Sequence, residues 1–236
     1  MERASARQRN ARRGIVRMRR NRRSAQTTRK KRGEARMLAG LSSSTFGFPN
    51  TITTKLRYCT FLDLTAAGGT VAGNVFAANG IFDPDITGVG HQPLYRDNFA
   101  AIYDQYAVLG SKIKVTFLSS SATLGHYVGI TGDDDSATSS NLETLMEQNN
   151  TVSSMIGSAG ASPVTLINTF SPLKAFGVDV KDDGYSSTAV SANPSELWCY
   201  KVWAIPSDAA TLSHCYVKVE IEYTVKFSEL VTPVQN

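Results

Sequence analysis

Residues 214–227 read HCYVKVEIEYTVKF. Cys215, Val217, Val219, Ile221, Tyr223, Val225 and Phe227 fall on one face of an extended chain, and His214, Lys218, Glu220, Glu222, Thr224 and Lys226 on the other; Tyr216 alone is ambiguous. Successive side chains of a strand point to opposite faces, so this period of two predicts a long half-buried β-strand and excludes a helix. Whatever this chain folds into must offer one apolar layer for such a strand to cover.

Shorter runs repeat the pattern at ITTKLRYCTFLDL, GSKIKVTFL, HYVGITG, SPVTLINTF and ELWCYKVWAIP, with TVAGNVFAA weaker. Clusters of Gly, Pro, Ser, Asn and Asp separate nearly all of them, as turns require. Helical pattern is sparse: NLETLMEQ and NFAAIYDQY each predict about two turns. Strands without long intervening helices point to an antiparallel sandwich or barrel and not to a parallel α/β sheet. At 236 residues the chain has room for one large domain or two small ones, and 42% hydrophobic side chains supply a sizeable core.

The basic residues are distributed very unevenly. Residues 1–36 hold 15 of the 25 Lys and Arg: Arg3, Arg7, Arg9, Arg12, Arg13, Arg17, Arg19, Arg20, Arg22, Arg23, Arg29, Lys30, Lys31, Arg32 and Arg36. With only Glu2 and Glu34 opposing them, the segment carries +13, while residues 37–236 carry −8. So little apolar surface cannot offset the entropy of ordering the segment, so a disordered arm is expected, followed by a linker over 37–50 (MLAGLSSSTFGFPN) and a folded domain over 51–236. A guanidinium fork gives paired hydrogen bonds to phosphate, and each neutralised phosphate releases a counterion, so these fifteen residues are the candidate nucleic-acid-binding set. No Phe, Tyr or Trp occurs in residues 1–36, which leaves the arm without a stacking platform and predicts binding indifferent to sequence. RMRRNRR and RKKR also resemble nuclear localisation signals, which makes the nuclear import machinery of a host or parent cell an expected partner.

The stretch FDPDITGVGHQPLYRDN, residues 82–98, invites a chemical reading. Asp83 to Thr87 resembles the nucleophile loop of haloacid-dehalogenase-type phosphatases, in which one carboxylate attacks phosphorus and the second acts as acid and base. That mechanism needs a hydrophobic strand before the first Asp in a parallel α/β sheet, and only Ile81 and Phe82 precede it here. A calcium loop fails as well, because Leu94 stands where a bidentate Glu is required. Asp83 and Asp85 are therefore read as loop acids. Three adjacent carboxylates, Asp133, Asp134 and Asp135, repel one another unless a cation or a basic neighbour is close; a solvated turn and an interface cation are the two readings.

Other catalytic patterns are missing: no GxSxG, HExxH, GxxxxGK[ST] or HxH occurs, and His91, His126 and His214 are scattered. Cys59, Cys199 and Cys215 are odd in number and form no CxxC pair, so neither a disulfide framework nor a one-chain zinc site is encoded. No apolar stretch follows the basic start as an ordinary secretory signal would need, and no run reaches bilayer-spanning length. The expectation is a non-enzymatic protein with no cofactor, no metal and no membrane association.

Residues 90–117, GHQPLYRDNFAAIYDQYAVLGSKIKVTF, resemble the signature segment of capsid proteins from small circular Rep-encoding single-stranded DNA viruses, the circovirus-like group. The matching positions are Gly90 to Pro93, Asp97, Tyr103, Tyr106 and Gly110 to Ile113, and the sequence YRDN at 95–98 departs from the pattern. The resemblance implies a Gly-His-Gln-Pro turn leading into a short helix, with an aspartate near its start and a tyrosine pair near its end. Locally, Asp97 or Asn98 could cap that helix, and His91 reads better as a hydrogen-bonded structural residue than as a pH-sensitive contact between subunits. For the whole chain it implies an all-β fold, a single eight-stranded antiparallel jelly roll behind the arm, with identical subunits closing into an icosahedral homo-oligomer around single-stranded DNA. The expected locations are the virion and, during assembly, the host nucleus. The alternatives are the coat of a small single-stranded RNA virus or satellite and a non-capsid β-sandwich that binds nucleic acid.

Overall fold

The computed structural model describes residues 47–67, 69–88, 90–177 and 187–232. The chain divides after Pro49, and the unit Asn50–Asn236 holds every element described. β1 (Thr51–Ala66) pairs antiparallel along its whole length with β9 (Ser213–Leu230), and β9 pairs on its other side with β3 (Tyr103–Ser119). The far edge of β3 carries β6 (Val164–Phe170) and, beside it, the three-residue β7 (Ser187–Ala189). The second sheet runs β2 (Ala72–Ala77), β8 (Cys199–Pro206), β4 (His126–Asp133), β5 (Thr151–Ile156), again antiparallel throughout.

These pairings nest. Setting β7 aside, the first strand pairs with the last, the second with the seventh, the third with the sixth and the fourth with the fifth. A long hairpin rolled over on itself produces that order, and the result is the eight-stranded jelly roll. β7 is an addition, and three residues are too few to display a period. β5 also escapes a reading by pattern: of TVSSMI only Ile156 is buried, because an edge strand is held by its ladder to β4 more than by a buried face.

The alternation in β9 does what its sequence requires. Cys215, Val217, Val219, Ile221, Tyr223, Val225 and Phe227 are all buried and cluster with Tyr58, Ile113, Val115 and Phe117 of their own sheet and Phe76, Val128, Ile130 and Val202 of the other, while Tyr216 is exposed. β8 is buried on both faces from Cys199 to Pro206. Its outward Trp203 pairs laterally with Gly73 on β2 and Gly129 on β4, and a methyl group at Gly129 would fall inside the indole ring. Gly129 thus leaves the space in which the indole lies.

Helix α1 (Arg96–Ala100) is shorter than NFAAIYDQY suggests, because from Tyr103 the chain has joined β3. Tyr103 and Tyr106 do not end a helix; they are buried in the strand, paired with Leu230 and Phe227, and sheet pairing overrides local propensity. Neither Asp97 nor Asn98 caps α1: the N-cap is Tyr95, at φ 69° and without a side-chain cap. Instead Phe99 stacks on Phe227 at 4.8 Å and fixes the helix to the sheet. α2 (Leu142–Glu147) follows the expected NLETLMEQ, its N-terminus capped by Asn141 Oδ1 accepting from Thr144 N at 3.2 Å. α3 (Pro172–Phe176) begins on a proline and ends at Gly177 in the left-handed region (φ 71°).

Candidate functional site

The stretch from Asn79 to Arg96 forms one corner of the sandwich, and the residues of the 90–117 segment converge there. Gln92 Nε2 donates to Phe82 O at 2.8 Å and its Oε1 accepts from Arg96 Nη1 at 3.2 Å; the same guanidinium lies 5.0 Å from the Phe82 ring centroid and pairs with Asp97 at 2.7 Å. Tyr106 Oη donates to Ala192 O at 3.0 Å and accepts from Ile81 N at 3.3 Å, and Ser111 Oγ donates to Ala78 O at 2.5 Å. Gly90 passes so close to β1 and the acid loop that a Cβ there would sit 2.5 Å from Asp85 Cβ and 2.9 Å from Tyr58 Oη. His91 is exposed and hydrogen-bonded, with Nε2 2.9 Å from Cys59 O and Nδ1 2.9 Å from Gln92 O, and its ring lies 4.7 Å from Tyr58. These contacts tie a loop to a sheet.

The two loop acids have structural work. Asp85 is buried, forms an isolated bridge with Phe76, and accepts from Thr87 N, Thr87 Oγ1 and Asn74 Nδ2 at 3.1, 2.6 and 3.2 Å. Asp83 is framed through its backbone by the Asn193 amide, which accepts from its N–H at 3.3 Å and donates to its carbonyl at 3.1 Å. Burial, and then the charge of Asp85, raise the Asp83 pKa. A phosphatase would need the Asp85 carboxylate free to exchange protons with a leaving group; here both of its oxygens accept hydrogen bonds from its own corner.

Asp133 and Asp135 have a basic neighbour that the sequence pattern did not pair with them. Lys201 is 2% exposed, yet its Nζ reaches Asp133 Oδ2 at 2.5 Å and Asp135 Oδ1 at 3.3 Å. Burial pushes the Asp133 carboxyl up, but the hydrogen bond and charge of Lys201 outweigh it and its pKa falls below the usual Asp value. Among the described residues no group of three His, Cys, Asp or Glu is placed to hold a metal ion. An ammonium from β8 thus meets two of the three adjacent carboxylates. A signal was present: Lys201 is the sole charged residue in CYKVWAIP, and a charge in a doubly buried strand must have a partner. Arg96, buried beside Phe82, was missed in the same way.

The fifteen Lys and Arg of residues 1–36 lie outside the described residues.

Fold and corner together define the class: an antiparallel β-sandwich of jelly-roll topology whose interior is filled with apolar side chains. No protein-family model matches the chain, and no curated protein does. In fold it is similar to the solved structure of a decameric BFDV capsid protein, at 12% identity over 75% of this chain and 99% of that one, with a TM-score of 0.41. It is similar also to Mud crab tombus-like virus (11% identity, 83% and 88% covered, TM-score 0.46) and to a semi-empty VLP of giant freshwater prawn Macrobrachium rosenbergii nodavirus (9%, 82% and 100%, 0.45).

Proposed function

We propose that this chain is a viral coat protein whose jelly roll builds a closed icosahedral shell from identical copies, and whose residues 1–36 neutralise a packaged single-stranded DNA genome. The observation that carries this reading is the combination of a nested eight-stranded jelly roll with a preceding segment of charge +13. A jelly roll alone would also suit a lectin or a cupin, but a cupin needs metal-ligating histidines clustered in an open barrel, and here the space between the sheets is occupied by Phe76, Phe117, Ile113, Val128, Val202 and Ile221.

The magnitudes are consistent. Extended, 36 residues reach at most about 120 Å, and about sixty copies carrying +13 each would balance on the order of 800 nucleotides at one phosphate apiece. The body carries −8, so the chain's net positive charge resides in residues 1–36. Assembly would be driven by apolar burial between copies and by neutralisation of the cargo. The choice of DNA, and nuclear import as the route to assembly, rest on the 90–117 segment and the RMRRNRR and RKKR clusters.

Electron microscopy of the purified full chain should show closed particles, and nuclease digestion of their contents should show DNA. RNA in the particles would move the chain to the RNA-virus reading; a monodisperse single chain at moderate salt would overturn shell formation. Deleting residues 1–36 should leave particles that are empty or randomly loaded.

A further inference from the structure

The outward face of the β1-β9-β3-β6 sheet differs in charge from the rest of the body. Cross-strand register places its side chains in rows: Thr53 and Lys226; Lys55 and Thr224; Arg57, Glu222 and Lys112; Cys59, Glu220 and Lys114; Phe61, Lys218 and Thr116; Asp63, Tyr216 and Leu118. Six of the ten Lys and Arg in residues 37–236 stand in these rows, against three carboxylates, within a body of net charge −8. Glu222 faces Arg57 on one side and Lys112 on the other, and pairs with Lys55 at 2.5 Å; Glu220 pairs with Lys218 at 3.3 Å and Lys114 at 3.6 Å. Each central acid is thus outnumbered by cations, and these cations lower the pKa of both carboxyls, so the acids do not cancel the field.

At one end of this band the face becomes aromatic. Phe61 is 78% exposed and Tyr216 51% exposed; they are diagonal neighbours across the β1/β9 pair, about 7–8 Å apart at Cα. With Leu118, Pro163 and Lys218 they line a shallow apolar cleft. No core needs these rings, and leaving them in water carries a hydrophobic cost. Cations that follow a phosphate backbone beside rings on which bases can stack are the two parts of a single-strand binding surface, and the rings are what residues 1–36 lack.

We infer that this sheet face is a second contact surface for single-stranded nucleic acid, with Arg57, Lys112, Lys114 and Lys218 on phosphates and Phe61 and Tyr216 on bases. It deepens the coat-protein reading, on which it rests only for the statement that this face of the sandwich looks toward the genome. Charge complementarity selects the occupant: a polyanion suits the six-cation band.

The test uses the full chain and a thirty-residue oligothymidylate. Arg57→Gln, Lys112→Gln and Lys114→Gln combined should reduce the slope of log K against log salt by about two, at roughly 0.7 for each phosphate no longer neutralised. Phe61→Ser or Tyr216→Ser should each weaken binding about tenfold. Cys59 lies within the band and is the exposed cysteine, so oligothymidylate should slow its alkylation by a maleimide in the unmutated chain; this readout holds even if a variant fails to fold. An unchanged salt slope with equal Cys59 labelling, bound or free, would overturn the inference, as would ring variants that abolish self-association while leaving oligothymidylate affinity intact, which would make the patch a contact between copies. Protection of Cys59 without particle formation refutes the coat reading and leaves this surface standing; genome-filled particles with freely reactive Cys59 do the reverse.

Discussion

Replacing Asp133 by Asn should destabilise the sandwich more than replacing Lys201 by Met, although both break the same ion pair. The Lys201 side chain is 2% exposed, whereas the Asp133 side chain is 27% exposed and the Asp135 side chain 65% exposed. Removing one partner of a buried pair costs about 3–5 kcal/mol. With Asp135 still 3.3 Å from the ammonium, we expect about 2–3 kcal/mol for Asp133→Asn. For a domain of this size that is a fall in Tm of roughly 5–10 °C. Lys201→Met leaves a carboxylate that hydrates, at about 1 kcal/mol, and the double variant should return to within about 1 kcal/mol of the parent because an apolar isostere satisfies the buried site. Thermal melts of the unassembled chain followed by tryptophan fluorescence measure this directly, since Trp203 lies two residues from Lys201 and donates to Thr131 Oγ1 at 3.0 Å. The acid limb gives a second reading. Asp133 has its folded pKa depressed, so the unfolded chain binds more protons near and below the ordinary Asp value of 3.8, and the stability it contributes is present above that pH and lost as pH falls through the lower folded value. Asp133→Asn should flatten that limb. Equal costs for the two single variants, or a double variant no better than Asp133→Asn, would refute the placement of Lys201.

Gly129→Ala should lower the denaturant midpoint by the equivalent of about 1–3 kcal/mol, because the new methyl group meets the Trp203 ring and the strand cannot move away from it. Burial pushes the thiol of Cys199 up to about 11 and that of Cys215 up to about 12, while Cys59 is exposed; a disulfide-exchange reagent at pH 8 should therefore titrate one thiol per native chain and three after unfolding. On the alkaline side, burial pushes Tyr106 up to about 12 and raises Tyr223 well above its usual value, so the folded state holds protons that the unfolded state releases above pH 10. Stability should fall as pH rises beyond that point, and tyrosinate absorbance from these two residues should appear with unfolding and not before it.

Much of the sandwich was legible in sequence because a period of two is a direct consequence of strand geometry. The seven inward residues of β9 follow from it, as do the alternating β1, β6 and the second half of β3. Where the pattern is carried by something other than apolar alternation it gave no signal: β5 is an edge, β7 is three residues long, and Tyr103 and Tyr106 continue a sheet through a segment with helical spacing. The corner at 79–96 shows the same division. Its residues were singled out by sequence, but their task, hydrogen bonds that stitch loop to sheet, depends on Ala192, Asn193 and Trp198, about a hundred residues away in the chain.

By itself the sequence settled composition and period: an all-β body, and a cationic terminus set against an acidic remainder, since charge and alternation are properties of a chain before it folds. Tertiary structure decided which charges meet. Lys201 found Asp133 because β8 lies beside β4, and six scattered cations became one band because β1, β9 and β3 align their outward positions in register. Strand pairing joins residues more than a hundred positions apart at separations near 5 Å, and no local spacing encodes that neighbourhood.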